Sequence, residues 1–233
     1  MRIFNFALRK GNRCSLDVQG RQRGFSMAEI LVVLGIIAIL SAISIPYLLS
    51  YRKVYRTDDQ AIKMIDVMTE ASQMALTRRR SMRVEIDLTS NAILLIDERN
   101  PDPGTQANEA DQLVKKIPFE KAADVRVDAL PSGVAKPNPP NYTDASFATD
   151  ALGHLEGGAT VSGHNVWFAR FLRNGSVVNA AGTPISVNIY IWPPMTPGSL
   201  TPRNKVEVRA ITIFGGSGAV RYWKHNGTTF VAQ

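Results

Sequence analysis

Twenty consecutive residues, Ile30 to Leu49, carry no charge and are mostly Ile, Leu, Val and Ala. As a helix rising about 1.5 Å per residue they would measure about 30 Å, the hydrocarbon thickness of a bilayer. Arg21 and Arg23 stand just before them, and residues 1–24 together hold Arg2, Arg9, Lys10, Arg13, Arg21 and Arg23 against a single acid, Asp17. That bias keeps the N-terminal side cytoplasmic and exports the chain after Leu49. A secretory signal would be cut after such a run, and Ala42-Ile43-Ser44 offers small residues at suitable spacing. A plain anchor or a buried core helix would need no cut. None of the three has a use for Glu29 at the start of the apolar stretch, or for the abrupt Arg23-Gly24-Phe25 junction ahead of it.

The formal net charge of +7 would suggest an anionic partner if it were evenly spread. It is not: residues 1–24 carry +5 and the remainder +2. Without its first 24 residues the chain has little whole-molecule attraction to nucleic acid, and any basic patch must be local. Cys14, the only cysteine, lies in the same leader, so the rest of the chain can form no disulfide. An exported domain of this size can bury enough apolar surface without one.

The string Arg23-Gly24-Phe25-Ser26-Met27-Ala28-Glu29-Ile30-Leu31-Val32-Val33-Leu34 closely resembles the class III signal of type IV prepilins and type II secretion pseudopilins. Ser26-Met27-Ala28 departs mildly from the commoner Thr-Leu-Ile or Thr-Leu-Val, and the resemblance covers about residues 21–50. It implies cleavage between Gly24 and Phe25 by a prepilin peptidase, N-methylation of Phe25, an assembly role for Glu29, and a helix-loosening proline at Pro46. It also implies a protein that crosses the bacterial inner membrane once, with its N-terminus cytoplasmic and its C-terminal domain periplasmic. Other pilin or pseudopilin subunits would then be its partners in a filament.

Beyond Leu49 the helical period continues, with Ala61, Ile65, Met68, Ser72 and Ala75 at three- and four-residue steps, flanked by Ile62, Met64, Val67 and Met74. Arg56, Asp58, Asp59, Lys63 and Asp66 are expected on exposed faces. Arg78-Arg79-Arg80 closes the helix, where cations suit the dipole. The period then changes to two: Val84, Ile86 and Leu88 share a face, and Thr89-Ser90-Asn91 turns into Ala92–Ile96. Further strands are expected at 113–119, 123–129, 165–172, 185–192, 205–214 and 219–224. Asn174-Gly175, Gly215-Gly216-Ser217-Gly218 and Asn226-Gly227 supply turns. Residues 97–112 and 131–160, rich in Pro, Gly, Asn and Asp, read as surface loops.

The expected fold class is α+β: a long N-terminal helix, half membrane and half amphipathic, packed on a C-terminal antiparallel β-sheet domain of pilin-like form. The expected divisions are a cleaved leader at 1–24, a transmembrane assembly helix at 25–50 and an exported domain at 51–233. The helix, the Met82–Leu88 and Ala92–Ile96 hairpin and the late Phe171-Leu172-Arg173-Asn174-Gly175-Ser176 turn resemble H-type minor pseudopilins and related minor pilins. The calcium loop of the G type has no counterpart.

Candidate chemistry is sparse. His154, His164 and His225 lack metal-ligand spacing, so no metal and no cofactor is expected. Asp97, Glu98, Asp102 and Glu109 lack the alternation of a calcium loop. Gly215–Gly218 lies between strands, without the helix N-terminus a phosphate cradle needs. No catalytic triad or carboxylate pair has local support, so the chain reads as no enzyme. Arg209, Arg221 and Lys224, beside Tyr222 and Trp223, offer cations and rings that suit nucleic acid. Only the second arginine of the Gly-Arg-x-Arg turn of some DNA-binding minor pilins is kept, at Arg221. Strand alternation places Arg209 and Arg221 on a solvated face. The reading is a minor pilin or pseudopilin that assembles through its helix and supports protein secretion. The alternative is a DNA-binding minor pilin.

Overall fold

In the computed structural model residues 25–99, 111–149 and 153–233 are described. Gly24, the rest of the leader, Asp102 and Glu109 lie outside them. The chain divides into two compact units, Met1–Tyr47 and Leu48–Gln233. Helix α1 (Met27–Arg78) passes through the boundary, its backbone helical across Pro46. Arg79, at φ 53°, takes the left-handed conformation that commonly ends a helix and turns the chain toward the sheet.

In chain order the strands are β1 (Ser81–Asp87), β2 (Ala92–Glu98), β3 (Gln112–Pro118), β4 (Arg126–Asp128) and β5 (Thr143–Asp144). Then come β6 (Ala148–Thr149), β7 (His154–Glu156), β8 (Ala159–Val161), β9 (Asn165–Phe171) and β10 (Val177–Val178). The last four are β11 (Val187–Trp192), β12 (Arg209–Ile213), β13 (Val220–His225) and β14 (Phe230–Ala232). One sheet runs β10-β9-β1-β2-β3-β7-β8 with β6 on β9; a second runs β14-β13-β12-β11-β4 with β5 on β11. Pairing is antiparallel except at β3–β7 and β5–β11. The architecture is α+β.

The buried stripe of the Leu48–Gln233 unit keeps the expected Ala61, Met68 and Ala75 but passes through Met64 and Ala71 where Ile65 and Ser72 were expected, and those two are half-buried at its edge. Ala61, Met64, Met68, Ala71 and Ala75 of α1 share one core with Val84, Ile86, Ile93 and Leu95 of the first sheet and Ile189, Ile191, Ile211 and Ile213 of the second. Ile62, one step off the stripe, is exposed. The glycine-rich turn joins β12 to β13 as expected. Gly218 there is indispensable: its φ is 65°, and a Cβ would lie 2.5 Å from the Gly175 carbonyl oxygen.

Three expectations change. Segment 131–160 carries β5, β6, β7 and β8 rather than loop alone, because its short strands find edges of sheets built by distant residues. Lys205–Glu207 is a 3₁₀ turn, not strand, because the Asn204 side chain accepts a hydrogen bond from Val206 N (3.0 Å) and caps it. The expected 97–112 loop is shortened by β2 and β3 at its ends, and 100–110 lie outside the described residues.

The outer face of β1 is also not what alternation suggests. Arg83, Glu85 and Asp87 alternate with core residues and would face water, yet none is more than 1% exposed. Arg83 Nη2 donates to Gly153 O (2.8 Å) and stands 3.7 Å from the Asp111 carboxylate. Glu85 and Glu98 lie 3.6 and 3.7 Å from other nitrogens of the same guanidinium, and Arg170 Nε donates to Glu98 (2.7 Å). The Phe168 ring lies 5.8 Å from Arg83 and 5.9 Å from Arg170. Burial pushes the Asp111 carboxyl up to about 6; Glu98 and Asp97 add to the rise, and Arg83 and Arg170 oppose it.

A carboxyl whose folded pKa stands above its unfolded value favours the folded state when protonated. Its contribution is complete below about pH 4 and lost as pH rises through about 6. Asp111→Asn should therefore flatten the pH dependence of the unfolding temperature between pH 4.5 and 7, measured by circular dichroism on the detergent-solubilised chain. Parallel curves for the two proteins would refute the assignment.

Candidate functional site

The first site is the start of α1. Ser26 O accepts hydrogen bonds from Glu29 N (3.0 Å) and Ile30 N (3.1 Å), which makes Ser26 the N-cap and Glu29 the third helical residue. Ser-x-x-Glu is the spacing of a capping box, a signal of helix initiation that the sequence reading passed over. The carboxylate of Glu29 thereby sits in the first turn, where the amide ends of the helix favour a negative charge. Phe25 is 79% exposed, just outside the helix.

Every residue from Phe25 to Ile45 is exposed, including Ile30, Leu31, Val33, Ile36, Leu40 and Ile43. Met27–Ile45 is long and apolar enough to cross a membrane. Its 19 residues span about 28 Å as helix. An exposed apolar surface of this extent is incompatible with water as its only surroundings; it needs lipid or other apolar helices. Arg21 and Arg23, expected to orient it, lie outside the described residues.

The second candidate set, Arg209, Arg221 and Lys224, does not form one face. Hairpin register pairs Arg209 with Lys224, Ile211 with Tyr222 and Thr212 with Arg221. Arg209 therefore shares the α1 face with Ile211 and Ile213, and Arg221 lies on the opposite face. Arg209 is 6% exposed rather than solvated. Its Nε donates to Asp58 of α1, and its Nη1 donates to Val206 O (2.6 Å) and Val208 O (3.0 Å). Tyr222 Oη also donates to Asp58, and Lys224 Nζ is 3.6 Å away. Asp58, expected on an exposed helix face, is thus the carboxylate around which these groups converge. Arg221 is exposed and stacks over Phe214 and Trp223, 5.4 and 5.5 Å from their ring centres.

The histidines lie apart. His154 is buried, His164 Nδ1 is 2.5 Å from Asp87, and His225 Nδ1 accepts from Gly227 N (3.0 Å). Among the described residues no group of His, Cys, Asp and Glu could hold a metal ion.

Burial opposes the Asp58 charge, but hydrogen bonds from Arg209 and Tyr222 and the charges of Arg209 and Lys224 outweigh it and hold the carboxyl below its ordinary range. A depressed carboxyl pKa contributes stability above the unfolded value near 3.8, lost as pH falls through the folded one. Asp58→Ala leaves the Arg209 guanidinium in the seam without its counter-charge and should cost about 3 kcal/mol in chemical denaturation. Adding Arg209→Met should recover part of that loss. A cost under about 0.5 kcal/mol, the range of an ordinary surface change, would show that the pair does not hold the helix.

The family model of the prokaryotic N-terminal methylation motif matches residues 19–45. No curated protein and no solved structure matches the chain. The match contains the junction, Glu29 and the exposed apolar helix in one block, so the N-terminal segment is similar to the class III signals of type IV pilin-like proteins.

Proposed function

We propose that the protein is a minor pilin or pseudopilin with a pilin-like fold, stored in the bacterial inner membrane and assembled through α1 into a type II secretion pseudopilus or a type IV pilus. The observation that carries this is the exposed apolar helix Met27–Ile45, with Glu29 in its first turn, lying wholly within the matched methylation motif of residues 19–45. The protein acts by packing and has no catalytic role. A prepilin peptidase removes residues 1–24, and the folded unit lies in the periplasm until the helix leaves the bilayer. The order of helix, hairpin and late turn supports likeness to the H-type minor pseudopilins and a role in protein secretion.

Glu29 sets the terms of assembly. Insertion of a bare Asp at the centre of a membrane helix costs about 2.5–3.5 kcal/mol, and a carboxylate near the helix end costs less. In the stored subunit it reaches headgroups and water. Among packed helices that water is gone, and the cation on hand is the amine of Phe25 that cleavage creates, on its own chain or on a neighbour. Docking then depends on prior processing.

Intact mass of the membrane-extracted protein should show loss of residues 1–24 and one methyl group on Phe25. A chain beginning at Ile45 would establish ordinary secretory cleavage instead. Glu29→Gln should be processed and inserted normally, with unchanged folding of the exported unit, yet enter sheared filaments at under about a tenth of the usual amount. Entry at the normal level would remove Glu29 from assembly.

A further inference from the structure

The turn between β13 and β14 sets His225, Asn226 and Gly227 in an arrangement that turn-making alone does not require. Asn226 N donates to Thr229 O (3.0 Å), which closes the turn, and His225 pairs with Phe230 at its base. The Asn226 side chain folds into the same turn, its Oδ1 accepting from Thr228 N (2.9 Å) and Thr229 N (2.8 Å). Gly227, at φ 104°, takes a conformation that a side chain would strain, and its backbone N–H donates to His225 Nδ1 (3.0 Å). The imidazole is 3% exposed and packs edge to face with the Phe230 ring, their centres 4.9 Å apart. Asn226 and Gly227 are exposed, so water reaches them.

An asparagine followed by glycine can react with itself. The glycine nitrogen attacks the side-chain carbonyl carbon, unobstructed by a Cβ, and the cyclic imide that forms releases ammonia. The step is slow in an ordinary chain because the nitrogen keeps its proton and the carbonyl oxygen gains charge. Here each obstacle meets a group. His225 Nδ1 faces the proton to be removed, within reach of a general base. Two backbone N–H groups already aim at the oxygen on which charge develops. Burial and the Lys205 charge hold the imidazole below its ordinary pKa, against a weaker pull from the Lys205 backbone, so it is neutral at pH 7. The chain's other exposed Asn-Gly turn lacks the base. Asn174 Oδ1 accepts from Ser176 N (3.0 Å) and Ser176 Oγ (2.7 Å), but Gly175 N donates to Leu172 O (2.9 Å), a carbonyl that cannot take its proton.

We propose that Asn226 is a self-modification site, converted to aspartyl or isoaspartyl with Gly227 N as nucleophile and His225 as general base. Gly227 N gives its proton to His225 Nδ1 and bonds to Asn226 Cγ. The Cγ–Nδ2 bond breaks, and the nitrogen leaves as ammonia with the proton that His225 returns. Water then opens the imide at either carbonyl, so water enters, ammonia leaves and nothing is oxidised. The product adds a negative charge and, in the isoaspartyl form, a methylene to the main chain of the turn that registers β14 on β13. The reaction does not depend on the filament reading.

Detergent-solubilised full-length protein, aged at neutral pH either folded or in denaturing guanidinium, tests this. Tryptic fragments 174–203 and 225–233 separate the two sites, and mass spectrometry reads the exchange of NH for O in each. In the folded protein Asn226 should convert at least about tenfold faster than Asn174, a modest share of what general-base catalysis supplies. In guanidinium the two rates should come together, with Asn226 slower than when folded. His225→Gln should slow Asn226 at least about tenfold and leave Asn174 unaltered, circular dichroism confirming the fold. If that variant does not fold, the folded and denatured rates of the unaltered protein decide. Folding that slows Asn226, conversion of Asn174 as fast as that of Asn226, or an unchanged Asn226 rate in folded His225→Gln would each overturn the proposal.

Discussion

A guanidinium inside a protein is tolerable only where a carboxylate meets it. Arg209 enters the seam between α1 and the second sheet, and Asp58 meets it from the helix. This pairing fixes more than one contact. Arg209 can face α1 only if Ile211 and Ile213 do so too, and a slip of one residue along β12 would turn both isoleucines to the other side. The turn between β12 and β13 prevents the slip. Phe214 N donates to Ala219 O (2.9 Å), and Gly215 and Gly218 approach the Ile185 and Gly175 carbonyls too closely for any side chain. Helix docking, hairpin register and the removal of Arg209 from solvent are one arrangement.

The first sheet handles its buried charges differently. Asp58 gathers cations around one acid, whereas Arg83 and Arg170 stand among Glu85, Glu98 and Asp111 with Asp97 nearby. Carboxylates outnumber guanidiniums, and three of the Arg83 ion pairs are 3.6–3.7 Å long, beyond ordinary hydrogen bonds. Such a network is weak evidence for stability, since well-packed apolar side chains often do as well. What it supplies is a unique position for the chain near Asp111 and Gly153, which an apolar outer face would hold less specifically. The raised Asp111 carboxyl records the cost of that specificity.

Local features were legible in the sequence. The α1 stripe, the β1–β2 hairpin and the glycine turns depend on residues three to ten apart, and there period and turn chemistry suffice. The N-terminal motif was legible for the same reason: the junction, the carboxylate and the apolar run are contiguous, and the family model matches them as one block over residues 19–45. What was not legible depends on partners far away in the chain. Asp58 and Arg209 are 151 residues apart, and Arg83 and Gly153 are 70 apart. Alternation says that Arg83 and Ile86 face opposite ways and is silent on whether a further layer covers the polar side. Likewise, the parity of Arg209 and Arg221 decides nothing until the turn length sets which face each strand offers.

The Leu48–Gln233 unit closes on itself, with its core filled and nearly all its described carboxylates engaged. The Met27–Ile45 helix does not. Its backbone is satisfied, but every side chain on it is exposed. Lipid tails and neighbouring helices are equally apolar, so moving from one to the other brings the helix no hydrophobic gain. The direction of such a transfer has to be set by groups that distinguish the two surroundings. Packing of small residues is one source of that difference, and Gly35, with open space around it, is available for it. The other is charge, and from Met27 to Ile45 the only ionisable side chain is Glu29. On the proposed reading, a subunit that is inert toward its neighbours in the bilayer becomes competent to join them when cleavage gives Glu29 a cation it did not have.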